Sequence, residues 1–529
     1  MTRSVPPQVL VAGAGPAGLT AAHELARRGV RVRLIDRAQG PATTSRALAT
    51  HARTLEVWDQ MGVADQLLPR GQRVEHFTLH RRGRQLIRFD TNYDALPTRF
   101  PYTLMVDQVI TEEVLRDRLA AWGVAVEWST ELVGFEQDDT GVTARLRRPD
   151  GQPETLRTGW LVGTDGGHST VRRKLELPLV GDSSETWLIA DAVLDSDLPR
   201  DSIHWMDTGE GTVMLIPFPD PGKWRLLDTA EVTDDGPRQV ADRFAAKISR
   251  AVGRQVRVEE PTWVSVFTIQ QRMIATMRAG RCFLAGDAAH VHSPASGQGM
   301  NTGIQDAYNL GWKLAAVISG HSGPDLLDTY GQERVPVGRA LLGSTRAATR
   351  LVAFRSAALS TLMPLGLGVL RRVRPLKRWI EHRIMGGMSG LTRGYADSAL
   401  SAAGGGAGAG ERIGWAAADT TEPEALSQRL REPRWMLWVN PAPEVPRRAL
   451  KELLTDAAAC PDTPVVLLLS PLDVADPRGL LARRLRLPAG HWALVRPDGY
   501  RCASGSGLPD PAGLLRRVGM TVPTAADRT

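Results

Sequence analysis

Residues 9–36 read VLVAGAGPAGLTAAHELARRGVRVRLID, and the punctuation of this stretch decides the fold of the first half of the chain. Val9 to Ala12 has the unbroken apolar run of a buried parallel strand. Gly13, Gly15 and Gly18 follow in GxGxxG spacing, a helix is predicted from about Leu19 to Arg28, and a second strand, Val30 to Ile35, ends on Asp36. Gly13 permits the tight turn, Gly15 lets backbone approach a pyrophosphate, and Gly18 lets helix and strand touch. The helix N-terminus offers free N–H groups to phosphate, and the Asp36 carboxylate is placed for ribose hydroxyls. Ala17 and Arg37 complete the expected binding set at this turn. The motif calls for a dinucleotide without deciding between NAD(P) and FAD.

Two later segments decide it. Residues 161–174 read LVGTDGGHSTVRRK and residues 281–303 read RCFLAGDAAHVHSPASGQGMNTG. With these in place the chain resembles the flavin-dependent aromatic hydroxylases, single-component FAD monooxygenases with the para-hydroxybenzoate hydroxylase fold. The likeness spans about the first 395 residues and is greatest to the branch acting on phenols and aromatic polyketides. It implies an α/β fold: a Rossmann-like FAD-binding domain, an inserted antiparallel-sheet substrate domain and a C-terminal thioredoxin-like domain. The implied reaction is hydroxylation of an aromatic substrate through a C4a-hydroperoxyflavin, with NADPH or NADH and molecular oxygen consumed. Epoxidation and Baeyer–Villiger oxidation use the same kind of intermediate and stay open. Flavin halogenases share the fold but carry WxWxIP and a catalytic lysine; the chain has no WxWxIP and only six lysines. Prenyl-chain reductases also share the fold; the phenol-hydroxylase-like SPASGQGMN loop and the extra C-terminal domain stand against them.

The resemblance also assigns residues. Asp165, Gly166 and Arg172 match a motif that contacts the FAD pyrophosphate and is implicated in NADPH binding. Gln108, in VDQVITEEVL, falls at the FAD phosphate or ribityl chain. Asp287 accepts from a ribityl hydroxyl. Pro294, Gly297 and Gly299 form the loop beside the flavin ring, and Gly299 is expected to leave no room for a Cβ there. Met300 and Asn301 open a helix whose N–H groups face the pyrimidine end, where a positive helix terminus stabilises reduced, anionic flavin. Arg46, in SRALATHARTLEVW, is the expected gate for a mobile ring, and Arg46 with Pro294 are the candidate catalytic residues.

Composition bounds what remains. A chain of 529 residues with 42% apolar content supports two or three full cores. The expected division is 1–180 and 276–400 for the FAD-binding domain, 181–275 for the substrate sheet, 401–410 for a flexible Gly-rich linker, and 411–529 for the last domain. Strands are predicted at Ser202–Asp207, Thr212–Phe218, Trp224–Asp228 and Pro261–Thr268, offering an apolar stripe (Trp205, Met206, Met214, Ile216, Phe218 and Trp224) as substrate pocket. Every cofactor motif lies upstream of 411, so the C-terminal domain, which lacks CxxC, is expected to be dispensable for flavin binding and to serve assembly. His290 and His292, with no carboxylate near them in sequence, read as structural residues satisfied by backbone, and no metal is expected. Cys282, Cys460 and Cys502 have no pairing pattern, as in a reducing compartment. The net charge of +7 concentrates between Arg334 and Arg393, which reads as a solvated helical face and not a nucleic-acid surface. No apolar run reaches membrane-spanning length and MTRSVPPQVL is no signal segment. The expectation is a cytoplasmic enzyme with a small aromatic substrate, no nucleic-acid or membrane partner, and a homodimer as the assembly to consider.

Overall fold

The computed structural model describes residues 6–522 save 91–95, 210, 293–296, 353–372, 461–463 and 471–472. Val9–Ala12 lies inside a six-stranded sheet, paired in parallel with Val32–Ile35 on one side and Trp160–Gly163 on the other. All residues of Val9–Ala12 and Trp160–Gly163 are buried, the pattern of a parallel strand covered on both faces. Cys282–Leu284 joins the same sheet beside Trp160–Gly163, so the chain returns here after a long excursion. The first helix spans Pro16–Ala26, beginning earlier than the predicted Leu19. Pro16 occupies the first turn, where a missing N–H costs no hydrogen bond. This helix packs against the long helix Gly299–Ile318.

The excursion builds a second, mostly antiparallel sheet from Val180–Asp195, Ser202–Asp207, Thr212–Pro217, Lys223–Asp228 and Trp263–Met273. The predicted strands all form, within a few residues at their ends. The sheet is wider than expected from 181–275. The hairpin His76–Arg81/Arg84–Asp90 adds to it, because Ser202–Asp207 satisfies its free edge by pairing in parallel with His76–Arg81. Helix Pro237–Val252 covers one face, packing Phe244 and Ile248 against Leu215 and Leu226. The other face looks back at the first sheet.

Beyond residue 411, Met436–Asn440 pairs in parallel with Val465–Leu468 and antiparallel with His491–Val495, which pairs with Arg501–Ser506. Helix Arg447–Ala458 packs on this sheet. The arrangement agrees with a thioredoxin-like unit. The tract 401–410 is not a free spacer. Its helix Ala399–Gly404 and the following glycines lie on Arg501–Ser506, with Gly410 N–H donating to Arg501 O and Ser504 N–H to Gly405 O. Gly404 is glycine because a Cβ there would stand 2.1 Å from the Cys502 carbonyl oxygen. A composition that signals flexibility in isolation here serves close backbone packing.

Candidate active site

Between the two sheets lies a cleft of about 730 Å³. At one end it is lined by the Gly13–Ala17 turn, Asp36, Arg37, Asp165, Gly166 and Asp287; at the other by the apolar face of the second sheet. The volume is of the size that holds a cofactor-sized ligand.

The dinucleotide end follows directly from the opening sequence. Gly13 has φ +105°, a conformation that L side chains rarely adopt, and a Cβ on Gly18 would fall 1.8 Å from Gly13 O. A Cβ built on Gly15 meets nothing within 4 Å, so the helix N-terminus faces open space. Asp36 accepts from Ala14 N–H at 2.7 Å and Ala38 N–H at 2.8 Å, which fixes its carboxylate at the lip. Asp165 caps the short helix Thr170–Lys174 by accepting from Thr170 N–H at 2.6 Å, while its other oxygen, Oδ1, is buried and has no partner. Open space at a helix N-terminus and an unsatisfied buried oxygen are what a flavin adenine dinucleotide would fill. The residues present fit that group. Arg172 donates to Ala288 O and Gly167 O, tying the second and third motifs together.

After Cys282–Leu284 the chain turns at Gly286 and presents Asp287 to the cleft. Asp287 is exposed there yet enclosed by protein on its other sides. This desolvation raises its carboxyl pKa, against the pull of His290 and Arg46. The turn is braced from behind by Asp306, unmarked in the sequence reading, which accepts from Gly286 N–H at 3.1 Å and His290 Nε2 at 2.7 Å. His290 therefore has a carboxylate partner, contrary to expectation; it comes from the following helix and leaves no trace in local sequence. His292 stacks on His290, and burial first of all lowers its pKa to about 3. Pro294 lies outside the described residues. Gly297, Gly299 and Met300 line the cleft. The atom nearest a Cβ on Gly299 would be His292 Cε1 at 3.0 Å, so the tight neighbour at this glycine is the imidazole. Asn301 is buried and not in the cleft wall; it donates to Ala49 O and Gly297 O and accepts from His51 N–H, bracing the loops around the ring site.

Arg46 is exposed in the cleft wall. Gln108 also lines it, but its carboxamide is engaged, accepting from Ala47 N–H and donating to Glu112. Sequence reasoning missed Arg225. Its buried guanidinium makes two hydrogen bonds to Asp191, both 2.8 Å, and donates to Ser45 O at 2.6 Å and Arg46 O at 2.8 Å. One strand residue thus fastens the second sheet to the loop carrying Arg46. A lone arginine in a strand has no local signal that separates it from surface charge.

The period of two sorts the expected pocket residues. Ile216 lies opposite Arg225 and Pro217 opposite Trp224, so Trp224 shares the outer face and packs under helix Pro237–Val252. Met206, opposite Val213, goes the same way. Trp205, Met214 and Ile216 do line the cleft, joined by Ile189, Ile203 and Leu227. Phe218 is on the inner side but fully buried beneath that wall.

Comparison with known proteins agrees with this geometry. Residues 7–345 match the FAD binding domain family. The chain is 56% identical over 514 residues to the 6-methylpretetramide 4-monooxygenase of Streptomyces rimosus, covering 94% of this chain and 91% of that protein. The solved anhydrotetracycline hydroxylase OxyS of Streptomyces rimosus superposes with a TM-score of 0.75 at 32% identity, covering 98% of this chain and 100% of that one. CabE, an aromatic hydroxylase from angucycline biosynthesis, gives 0.72 at 31% identity, with 98% and 100% covered.

Proposed function

The chain belongs to the FAD binding domain family and is a flavin-dependent monooxygenase that hydroxylates aromatic substrates, and from that premise we propose that its substrate is a polycyclic aromatic polyketide. The observation that carries the proposal is the wall of Ile189, Ile203, Met214, Ile216 and Leu227, a broad apolar sheet face opening onto the flavin end of the same cleft. A flat fused-ring system buries much area on such a face, whereas a single phenol ring leaves most of it wet. Similarity over nearly the whole chain to an enzyme named for 6-methylpretetramide supports the same reading.

Bound flavin would supply reduction of oxygen and its transfer to the ring. The chain's own residues bind and orient. The Gly13–Gly18 turn, with its free helix N–H groups, would hold the pyrophosphate, Asp36 the adenosine ribose, Asp165 and Asp287 would accept from hydroxyls of the flavin's sugar chain, and the Gly297–Met300 segment would hold the ring. The sheet wall would orient the aromatic rings and keep water from the reacting face. Arg225, by fixing the carbonyls of Ser45 and Arg46, would set the loop from which Arg46 meets the ring. Reduced pyridine nucleotide, NADPH or NADH, would act as a transient visitor, since the chain has one GxGxxG turn. The test is turnover by the FAD-loaded protein with a tetracyclic aromatic polyketide and, separately, simple phenols. A product heavier by one oxygen from the polyketide is expected. Efficient hydroxylation of phenols alone would reject the polyketide class.

A further inference from the structure

The strand His491–Val495 runs into a loop, Arg496-Pro497-Asp498-Gly499-Tyr500, that is buried against the cofactor half of the molecule. Arg496 donates to both oxygens of Glu333, at 2.7 and 2.9 Å, and pairs with Asp498. Lys313 donates to Glu333 at 2.7 Å, and Asp498 accepts from Asn309 and Trp312, each at 3.1 Å. Lys313, Glu333, Arg496 and Asp498 are all 0–2% exposed. They form a balanced set of two cations and two carboxylates, half of it contributed by the C-terminal region. Removing either half leaves buried charge without its counter-ion.

The partners of this loop lead to the flavin site. Arg334, next to Glu333, donates to Asp306 Oδ1 at 2.7 Å and to the Tyr395 hydroxyl at 2.9 Å. Asp306 in turn accepts from Gly286 N–H, immediately before Asp287. Asn309, Trp312 and Lys313 lie on the helix Gly299–Ile318, whose first residues line the cleft. The carbonyl of Asp498 accepts from Arg53 at 2.7 Å, in the first turn of helix Ala52–Met61, directly after the cleft residue His51. The loop therefore grips two helices that both begin at the cleft, and two buried polar clusters, joined through the adjacent helix residues Glu333 and Arg334, end at the turn that presents Asp287.

We propose that the 496–500 loop is a positioning element of the flavin site. It holds Glu333 and, through Arg334 and Asp306, fixes the Gly286–Asp287 turn, so FAD affinity depends on a segment that never touches FAD. This coupling is reciprocal: FAD in the cleft stabilises the loop as much as the loop favours FAD. The assignment rests on FAD as the ligand of the cleft and is independent of the substrate class.

The full-length chain tests it with Asp498→Asn and Arg496→Lys, and with Leu467→Ala as a control buried in the C-terminal core, outside the loop and its ion pairs. Three quantities are read: the FAD Kd of the apoprotein by flavin fluorescence, the absorption bands of bound flavin, and Tm. Expected are an FAD Kd raised tenfold or more and altered flavin bands in the loop variants. The control should keep its Kd within twofold of the wild type despite a comparable loss of Tm. Loop variants within twofold, or a control weakened equally, would overturn the proposal. If neither loop variant folds, hydrogen exchange on the wild type decides. FAD should slow exchange of the Gly499 and Arg501 amides, which donate to Arg496 O and Glu411 O; no FAD-dependent change there overturns it. A wild type that takes up no FAD would remove the flavin assignment as well.

Discussion

Asp287 and Asp306 divide the work at one turn: the first faces the cleft, the second holds the backbone that presents it. Asp287→Ala is expected to weaken FAD by about ten- to hundredfold, the equivalent of roughly 1.5–3 kcal/mol for a lost charge-assisted hydrogen bond, while the protein stays folded. Equilibrium titration of apoprotein with FAD measures it. Gly18→Ala places a methyl group 1.8 Å from Gly13 O, so the variant should lose FAD binding by forcing the turn apart, and its apoprotein should also melt earlier. Both residues were legible, because their motifs carry function in local order. Asp306 and Arg225 were not, and Asn301 was read as a flavin contact without its bracing bonds to Ala49, Gly297 and His51. Each acts on backbone far away in the chain, and nothing in the neighbouring residues distinguishes a bracing polar side chain from a solvated one.

At the scale of elements, strands could be read from composition, but the face each residue takes could not. Trp224 belongs to a correctly predicted strand and still points away from the cleft, because the register across the Pro217–Lys223 turn sets its parity. Ile216→Ala should therefore change KM for the aromatic substrate with FAD affinity unchanged. Trp224→Ala should cost about 3–5 kcal/mol of stability and leave KM of the surviving protein near the wild-type value. Steady-state kinetics alongside denaturant melts separates the two. The strand pair His76–Arg81/Ser202–Asp207 adds a pH signature. His80 Nε2 and His204 Nδ1 are 3.0 Å apart in the buried interior, and burial lowers both imidazoles from 6.5 to about 4. The folded state keeps them neutral, so their contribution is complete above pH 6.5 and is lost as pH falls from 6.5 through 4. Each group that takes up its proton only on unfolding adds up to about 1.4 kcal/mol per pH unit to the slope. A double variant, His80→Asn/His204→Asn, should show a shallower fall of Tm across that window.

At the scale of the molecule, the three-part organisation was visible as a change of pattern: helix–strand alternation, then short strands with Gly, Pro and Asp turns, then alternation again. The independence of the last part was inferred from a glycine tract and from motif positions, and neither reports on buried ion pairs between distant segments. A chain ending near Ala403 would leave Lys313 and Glu333 without Arg496 and Asp498, and breaking such a buried set costs roughly 3–5 kcal/mol. It is expected to precipitate or to purify colourless, read directly from the visible absorption of the soluble fraction. The proposed reaction needs one cleft that holds FAD at its glycine turn and an aromatic ring against its sheet. Turnover under isotopically labelled oxygen, with FAD-loaded protein, reduced pyridine nucleotide and a tetracyclic aromatic polyketide, tests that claim most directly. One labelled oxygen atom in each hydroxylated product molecule is the result predicted; product oxygen drawn from water, or flavin-linked oxygen consumption that yields only hydrogen peroxide with every polycyclic aromatic offered, would contradict it.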